Sequence, residues 1–374
     1  LVSTHLRLRS PSFVVHTISQ VTTAVTGFFW FLLGLVGLTL GLHLASRLLY
    51  VPGAAKIFGH TPWLPSDWRE PLEEGEAVEV PTADGTRLRG TYLRTMAPER
   101  HGVVACCHEF NGDRWNMLPY ADGLRRRGFD IFLFDFRNHG ASDRTPGYEP
   151  TPWVTTYEVA DVHAVVDYLA ARDDASRHGI GLFGVGKGAT VALCVADDPR
   201  VQALVVDGAC PTERIQIHSL RMILARSMPW SGWLFRVPEI VLEPLARWVR
   251  LIAGWRRHCR FVSVHQAVRR VRLPVLMIHG QCDPHVAVDL VFDLRDAMPS
   301  PAKLWIVAGA KHNGSIRAAP DEYHDHVVQF FQEHLATELV CDSAHQPVPA
   351  RHTENGSAAT TATRPGQVSV AQGL

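Results

Sequence analysis

The chain has 374 residues, with 37 Lys plus Arg against 37 Asp plus Glu, and is 46% hydrophobic and 20% charged. That is enough apolar material for one large domain with additions or two small ones, and it excludes a disordered, collagen-like or disulfide-scaffold protein. A formal net charge of zero argues against coating nucleic acid or a membrane by bulk electrostatics, provided the charges are evenly spread. The seven cysteines, at 106, 107, 194, 210, 259, 282 and 341, show no zinc spacing and no disulfide framework. Most read as buried thiols packing as small hydrophobes.

No Asp, Glu, Lys or Arg occurs between Arg9 and Arg47, and Val21 to Leu44 includes the run GFFWFLLGLVGLTLGLHL. About 20 apolar residues span a hydrocarbon core at 1.5 Å per residue, whereas the apolar part of a secretory signal is about 7–15 residues long. The expectation is an N-terminal flank at 1–20, a single transmembrane anchor at 21–46 and a linker at 47–70. Arg7 and Arg9 on one side balance Arg47 and Lys56 on the other, so the charges choose no side for the globular domain.

From Pro71 to Leu335 strands and helices alternate. Residues 76–80 and 87–93 flank Asp84-Gly85 and predict a hairpin. The short apolar runs 103–107, 131–135, 181–183, 203–206, 275–279 and 304–307 suit strands covered on both faces. Helices are predicted over 117–127, 155–172, 187–196, 286–297 and 321–335, the second from Val159, Val162, Val166 and Leu169 at helical spacing. The expectation is an α/β fold: a mostly parallel sheet with helices on both faces and its ligand site beyond the carboxyl ends of the strands.

The chemistry-bearing residues cluster at those strand ends. His108-Glu109-Phe110-Asn111-Gly112 follows the 103–107 run, Gly184-Val185-Gly186-Lys187-Gly188 follows 181–183, Asp283 follows His279-Gly280, and His312 follows 304–307. Together with the Asp-Phe-Arg-Asn-His-Gly-Ala-Ser stretch at 135–142, the order elbow, acid, histidine resembles the α/β-hydrolase superfamily, in its esterase, lipase and serine-aminopeptidase branch. The resemblance implies that fold, a catalytic acid at Asp283, a base at His312, and a pocket bordered by His108, Glu109, Phe110 and Lys187. It implies an ester or amide substrate with an apolar acyl part, and neither a metal nor an organic cofactor.

Two positions depart from that pattern. The nucleophilic serine at the centre of Gly-x-Ser-x-Gly is Gly186, which has no side chain to form an acyl-enzyme. Glu109 stands where the superfamily's loop usually has Gly; it is open to a structural or ion-pairing role, a general base, or a ligand-binding group. Without the serine, the Asp283–His312 dyad reads as a relic, as a base acting directly on a ligand or water, or as the partner of a substitute nucleophile such as Cys107 or Ser142. Gly181-x4-Gly186-Lys187 also resembles a phosphate loop, but Gly188 lacks the hydroxyl that would hold Mg²⁺. Lys187 reads instead as a solvated residue on the first turn of its helix.

Between the two parts of the core, 71–210 and 273–337, the rhythm breaks. Residues 211–272 hold twelve arginines and three glutamates, a net charge of +9. Trp230, Trp233, Phe235, Trp248, Trp255 and Phe261 are interleaved with them. This predicts a helical cap, its apolar face over the site and its arginines in water, or else a face that meets a membrane interface. No nucleic-acid module is recognised. The tail at 338–374, rich in Ser, Thr, Ala, Pro and Gly, predicts disorder. The functional expectation is a membrane-anchored hydrolase-fold protein taking a small or lipid-like ligand, with serine hydrolysis weak or lost. Its alternatives are a binding or scaffold protein and a proton-transfer enzyme, lyase-like or cofactor-free, built on His312 and Asp283.

Overall fold

The computed structural model describes residues 11–58, 70–172, 179–227, 238–300 and 302–335. Strands β1 (Glu76–Pro81) and β2 (Arg87–Leu93) form the hairpin, with Val80 opposite Leu88 and Gly85 at φ +85° in the turn, a conformation Gly adopts without strain. Strands β3 (Gly102–Cys107), β4 (Phe129–Phe134), β5 (Ile180–Val185), β6 (Val201–Asp207), β7 (Val275–Gly280) and β8 (Lys303–Val307) are parallel to one another. The eight strands form one sheet in the order β1-β2-β4-β3-β5-β6-β7-β8. Only β2 pairs antiparallel with its two neighbours, at one end of the sheet.

Every residue of β3, β4, β5 and β7 is buried, which is why these strands read as continuous apolar runs rather than as alternating ones. Side chains still alternate in direction. Val103, Ala105 and Cys107 join the layer of α3 (Thr156–Ala170) and α4 (Lys187–Val195). Val104 and Cys106 join that of α2 (Leu118–Arg126) and α8 (Pro320–Leu335). The chain leaves β3 toward β4 on one side and returns to β5 on the other. Strand order therefore reverses at β3, and a crevice opens at the carboxyl ends there. Helix α4 lies close against that point because Gly188 has no Cβ: one would stand 2.1 Å from the carbonyl oxygen of Cys107.

The cap comprises α5 (Thr212–Ser227), α6 (Glu239–Arg256) and the short α7 (Val264–Val268). Its basic residues are largely paired where they are described. Arg214 and Arg221 face Glu239, Arg247 and Arg250 face Glu243, Arg257 faces Glu149, and Arg270 faces Asp197. On α6, Ile240, Leu251 and Trp255 are exposed. The N-terminal helix α1 runs from Pro11 to Phe58, so 47–58 is helix rather than the expected linker. The reason is packing: Val51, Ala55 and Phe58 bury themselves against Val249 and Ala253 of α6, and Phe58 stacks on Trp153 at 5.0 Å. Upstream, Gln20–Leu42 has a mean hydropathy of 2.0 and buries none of its residues, which makes it long and apolar enough to cross a membrane. Residues 1–10 and 59–69, the tail at 338–374, and Trp230, Trp233, Phe235 and Arg236 of the cap lie outside the described residues.

Candidate active site

The turn from β5 into α4 places Gly186 at φ +56° and ψ −118°, strained for an L residue and open to glycine. Its N–H donates to the backbone oxygen of Asp207 at 2.8 Å, which ties the elbow to the end of β6. Gly186 forms part of the wall of a cavity of about 1090 Å³ at the carboxyl ends of the strands. Glu109, Phe110, Lys187, Asp283 and His312 line the same cavity, so the structure gathers most of the residues singled out in the sequence.

Asp283 and His312, from the loops after β7 and β8, meet directly. His312 Nδ1 donates to Asp283 Oδ2 at 2.6 Å, while Asp283 Oδ1 accepts the backbone N–H groups of His285 at 2.7 Å and Val286 at 3.0 Å. The carboxylate is 1% exposed and the imidazole 25%, so the acid stands behind a histidine that still reaches the cavity. Burial opposes charge on both groups. Their mutual attraction wins, holding Asp283 below the usual carboxylate range and raising His312 above 6.5. Nδ1 is thus committed to Asp283, which leaves Nε2 to meet a ligand.

His108 lies deeper. Its Nδ1 is 2.8 Å from the backbone oxygen of Glu109, its Nε2 accepts the N–H of Phe136 at 3.1 Å, and burial pushes its pKa down to about 4. It is a neutral brace joining the loop after β3 to the loop after β4. Glu109 itself is half-buried, with burial raising its pKa, and its Oε2 accepts from Asn313 Nδ2 at 2.5 Å.

Lys187 corrects the sequence reading, which put it in water. It is buried, and its Nζ donates to Glu158 Oε1 at 2.8 Å. Glu158 from α3 also accepts from the Thr155 backbone N–H at 2.9 Å, the Thr155 hydroxyl at 2.6 Å and the Tyr148 hydroxyl. A lysine at the first turn of α4 can be enclosed because α3 supplies the opposite charge. Neither proposed substitute nucleophile is available. Cys107 is fully buried and its thiol is held far above its usual pKa by burial, while nucleophilic attack needs the thiolate. Ser142 donates to the Asp135 backbone oxygen at 2.7 Å and accepts from the Arg89 N–H at 2.8 Å, a structural bridge.

The sequence reading missed Asn313, Glu158 and Asp207. Asn313 adjoins His312, and Glu158 stands three residues after Thr155 in a helix capping box. Asp207 ends an apolar strand and is fully buried, its oxygens accepting the hydroxyls of Ser315 and Tyr323 at 3.0 Å each. Burial raises its carboxyl from 3.8 to about 7. Because the folded pKa is the higher one, this group favours the fold most at low pH, and that contribution fades as pH climbs toward about 7. The whole shift corresponds to about 4 kcal/mol. The stability of Asp207→Asn relative to wild type is therefore expected to grow by about 2–4 kcal/mol from about pH 4 to about pH 8. Thermal or denaturant melts of the detergent-solubilised chain check this, and a pH-independent difference would refute it.

Residues 102–236 match the family model of the alpha/beta hydrolase fold. With the sheet order and the strand-end site, this defines the chain as an α/β-hydrolase-fold protein. Among its relatives is an uncharacterized protein of Mycobacterium tuberculosis, 27% identical over 300 residues, which cover 80% of this chain and 87% of that one. The thiohydrolase aneE of Aspergillus aculeatus is 31% identical over 137 residues, 36% of this chain and 41% of that one. The esterase Pf2001 of Pyrococcus furiosus shares the fold at 22% identity and a TM-score of 0.55, covering 74% of this chain and 98% of that one.

Proposed function

We propose that the protein is a membrane-anchored hydrolase-fold enzyme that binds a small apolar or lipid-like ligand and acts on it by proton transfer through His312 and Asp283, without an acyl-enzyme. One observation carries the reading: His312 Nδ1 lies 2.6 Å from Asp283 Oδ2 beside a nucleophile position, Gly186, that has no side chain. A carboxylate behind an imidazole fixes its tautomer and stabilises its protonated form, as useful for a base acting directly on a ligand as for one acting on serine. The aromatic and aliphatic groups of Phe110, Tyr120, Trp153, Ile215 and Leu290 on the cavity wall suit an apolar ligand. The esterase and the thiohydrolase among the similar proteins favour a hydrolysable one. Anchoring is supported by the unburied apolar segment Gln20–Leu42 and by the docking of the same helix on the cap.

The test uses the full chain in detergent. Wild type is expected to resist a serine-reactive fluorophosphonate and to accelerate ring opening of nitrobenzisoxazole, a probe for a base that removes a proton from carbon. The rate should fall at low pH, where no group of the site is left unprotonated to act as the base. His312→Ala should fall to the buffer rate, a loss of about 10²-fold or more. Equal rates for wild type and His312→Ala would leave a binding protein with a relic dyad. Extraction of the full chain from membranes by alkaline carbonate would overturn the anchor.

A further inference from the structure

The space above Gly186 is occupied. A Cβ built there would stand 2.9 Å from Asn313 Nδ2 and 3.3 Å from Glu109 Cβ. The same carboxamide lies across Gly208, where a Cβ would be 2.5 Å from Asn313 Oδ1. Both glycines have positive φ, +56° and +69°, and Asn313 itself has φ +50°. Asn313 is thus bedded on two glycines and aims its amide at Glu109 Oε2. Its own Oδ1 is buried without a hydrogen-bond partner among the described residues. An enclosed polar atom left unmatched is tolerated where the placement of the group serves a purpose. What the placement achieves here is a carboxyl held over the vacant nucleophile position, on the cavity that His312 also lines.

We propose that Glu109 takes the place of the missing hydroxyl as a second catalytic group, paired with His312 as acid and base on a bound carbonyl compound, with Asn313 as its positioning residue. The proposal rests on the proton-transfer reading above and extends it to a second residue and a ligand class. Glu109 and His312 each favour the charged form of the other, so they titrate as a coupled pair that carries one proton between its two steps. Whichever group holds that proton, the site contains one acid and one base.

On a ligand with a C–H bond beside a carbonyl, the C–H bond breaks and its proton goes to His312 Nε2. The electron pair shifts through the new C=C bond to the carbonyl oxygen, which takes the proton of the Glu109 carboxyl and gives an enol. In a β,γ-unsaturated carbonyl compound that enol is a dienol: His312 returns its proton to the γ carbon as the enol O–H proton goes back to Glu109, which yields the conjugated isomer with no oxidant or co-reactant consumed. With nitrobenzisoxazole, His312 takes the ring proton, the N–O bond breaks as the nitrile forms, and Glu109 protonates the departing phenolate oxygen. Proton return from His312 to Glu109 closes the cycle.

The other titratable groups near the pair are held by partners of their own or stay unchanged in the test variant. Asp283 binds His312, Lys187 binds Glu158, and Asp207 binds Ser315 and Tyr323. His279 Nε2 is 2.9 Å from the Val286 oxygen, and the His285 ring meets His312 edge-on at 5.2 Å. His218, Asp289, Arg317 and His324 complete the charged wall of the cavity.

The experiment is the pH–rate profile of nitrobenzisoxazole opening by wild type, Glu109→Gln, Asn313→Ala and His312→Ala. Wild type is expected to give a bell, losing its base when both groups are protonated and its acid when neither is. Glu109→Gln keeps the size and hydrogen bonding of the side chain but carries no transferable proton. It should show only a rising limb, with a maximum about tenfold lower. Asn313→Ala should keep a bell with displaced limbs. A bell unchanged in Glu109→Gln would overturn the role of Glu109 while leaving His312 as the base. Rates of wild type no higher than those of His312→Ala would overturn both readings.

Discussion

A serine placed at position 186 is expected to stay unlabelled by a fluorophosphonate until Asn313 is removed. Gly186→Ser alone puts a Cβ 2.9 Å from Asn313 Nδ2, and its hydroxyl competes for the space that the carboxamide fills. The serine must also adopt φ +56°, at a cost of about 1–2 kcal/mol, and pushing Asn313 aside takes from Glu109 its hydrogen-bond donor. Gly186→Ser with Asn313→Gly opens the space, and glycine also suits the φ of +50° at position 313. That double variant should be labelled close to stoichiometrically. Hydrolysis of a nitrophenyl ester should follow weakly, because a Glu109 carboxylate opposes charge on a developing oxyanion. Adding Glu109→Gly should raise it by about 10²-fold. Mass spectrometry of the labelled protein reads the outcome. Equal labelling of the single and double variants would show that Asn313 does not close the position.

The ordering of the site was legible in the sequence for a physical reason. A parallel sheet delivers whatever follows each strand to one edge, so short apolar runs located both the strands and the chemistry. Gly184 and Gly188 belong to the elbow that the resemblance implies, and both permit close packing: a Cβ would stand 2.5 Å from the Ala189 backbone and 2.1 Å from the Cys107 oxygen respectively. Lys187 could not be placed. Its burial depends on Glu158, 29 residues earlier on another helix, and nothing local in the sequence signals that pairing. Asn313 was invisible for a similar reason. A polar residue after a strand reads as loop, and only the meeting of three loops shows that it lies over two glycines and binds Glu109. In the sequence the uncharged span stops at Arg47, yet Leu48, Leu49, Tyr50 and Val51 continue the helix beyond that charge. Burial on α6, not hydropathy, carries that helix on to Phe58.

The zero net charge proved a poor guide for the same reason. The cap carries +9 and the remainder of the chain an equal and opposite charge, yet most of the described cap arginines meet carboxylates. Such pairing consumes the charge that would draw the cap to an anionic surface. The apolar side chains of α6 that remain exposed, Leu251 and Trp255 among them, are the stronger argument for contact with an interface. The helix that docks on α6 is also the one that carries the apolar span, which keeps that face near the membrane in the proposed anchoring.

Arg137→Ala is expected to destabilise the domain by about 3–5 kcal/mol, because it strands a buried carboxylate. The side chain is fully buried, with Nε and Nη2 donating to Asp161 Oδ1 at 2.8 and 2.6 Å and Nη1 donating to Asp84 Oδ2 at 2.6 Å. Its backbone N–H reaches Asp161 Oδ2 at 3.0 Å, and the guanidinium lies 4.7 Å from the centre of the Tyr157 ring. One residue therefore joins the β1–β2 hairpin, the loop after β4 and helix α3. Arg137→Lys keeps the charge but loses the planar fork, so it should recover only part of the loss. Arg137→Met with Asp161→Leu removes both charges and should be less destabilising than Arg137→Ala. Denaturant midpoints of the four proteins decide this, and a double variant worse than Arg137→Ala would refute the account. The consequence reaches the site through the preceding residue, since the N–H of Phe136 holds His108, whose other nitrogen holds the backbone of Glu109. Arg137→Lys, where folded, should therefore slow the His312-dependent reaction while leaving the hydrogen bond between His312 and Asp283 intact.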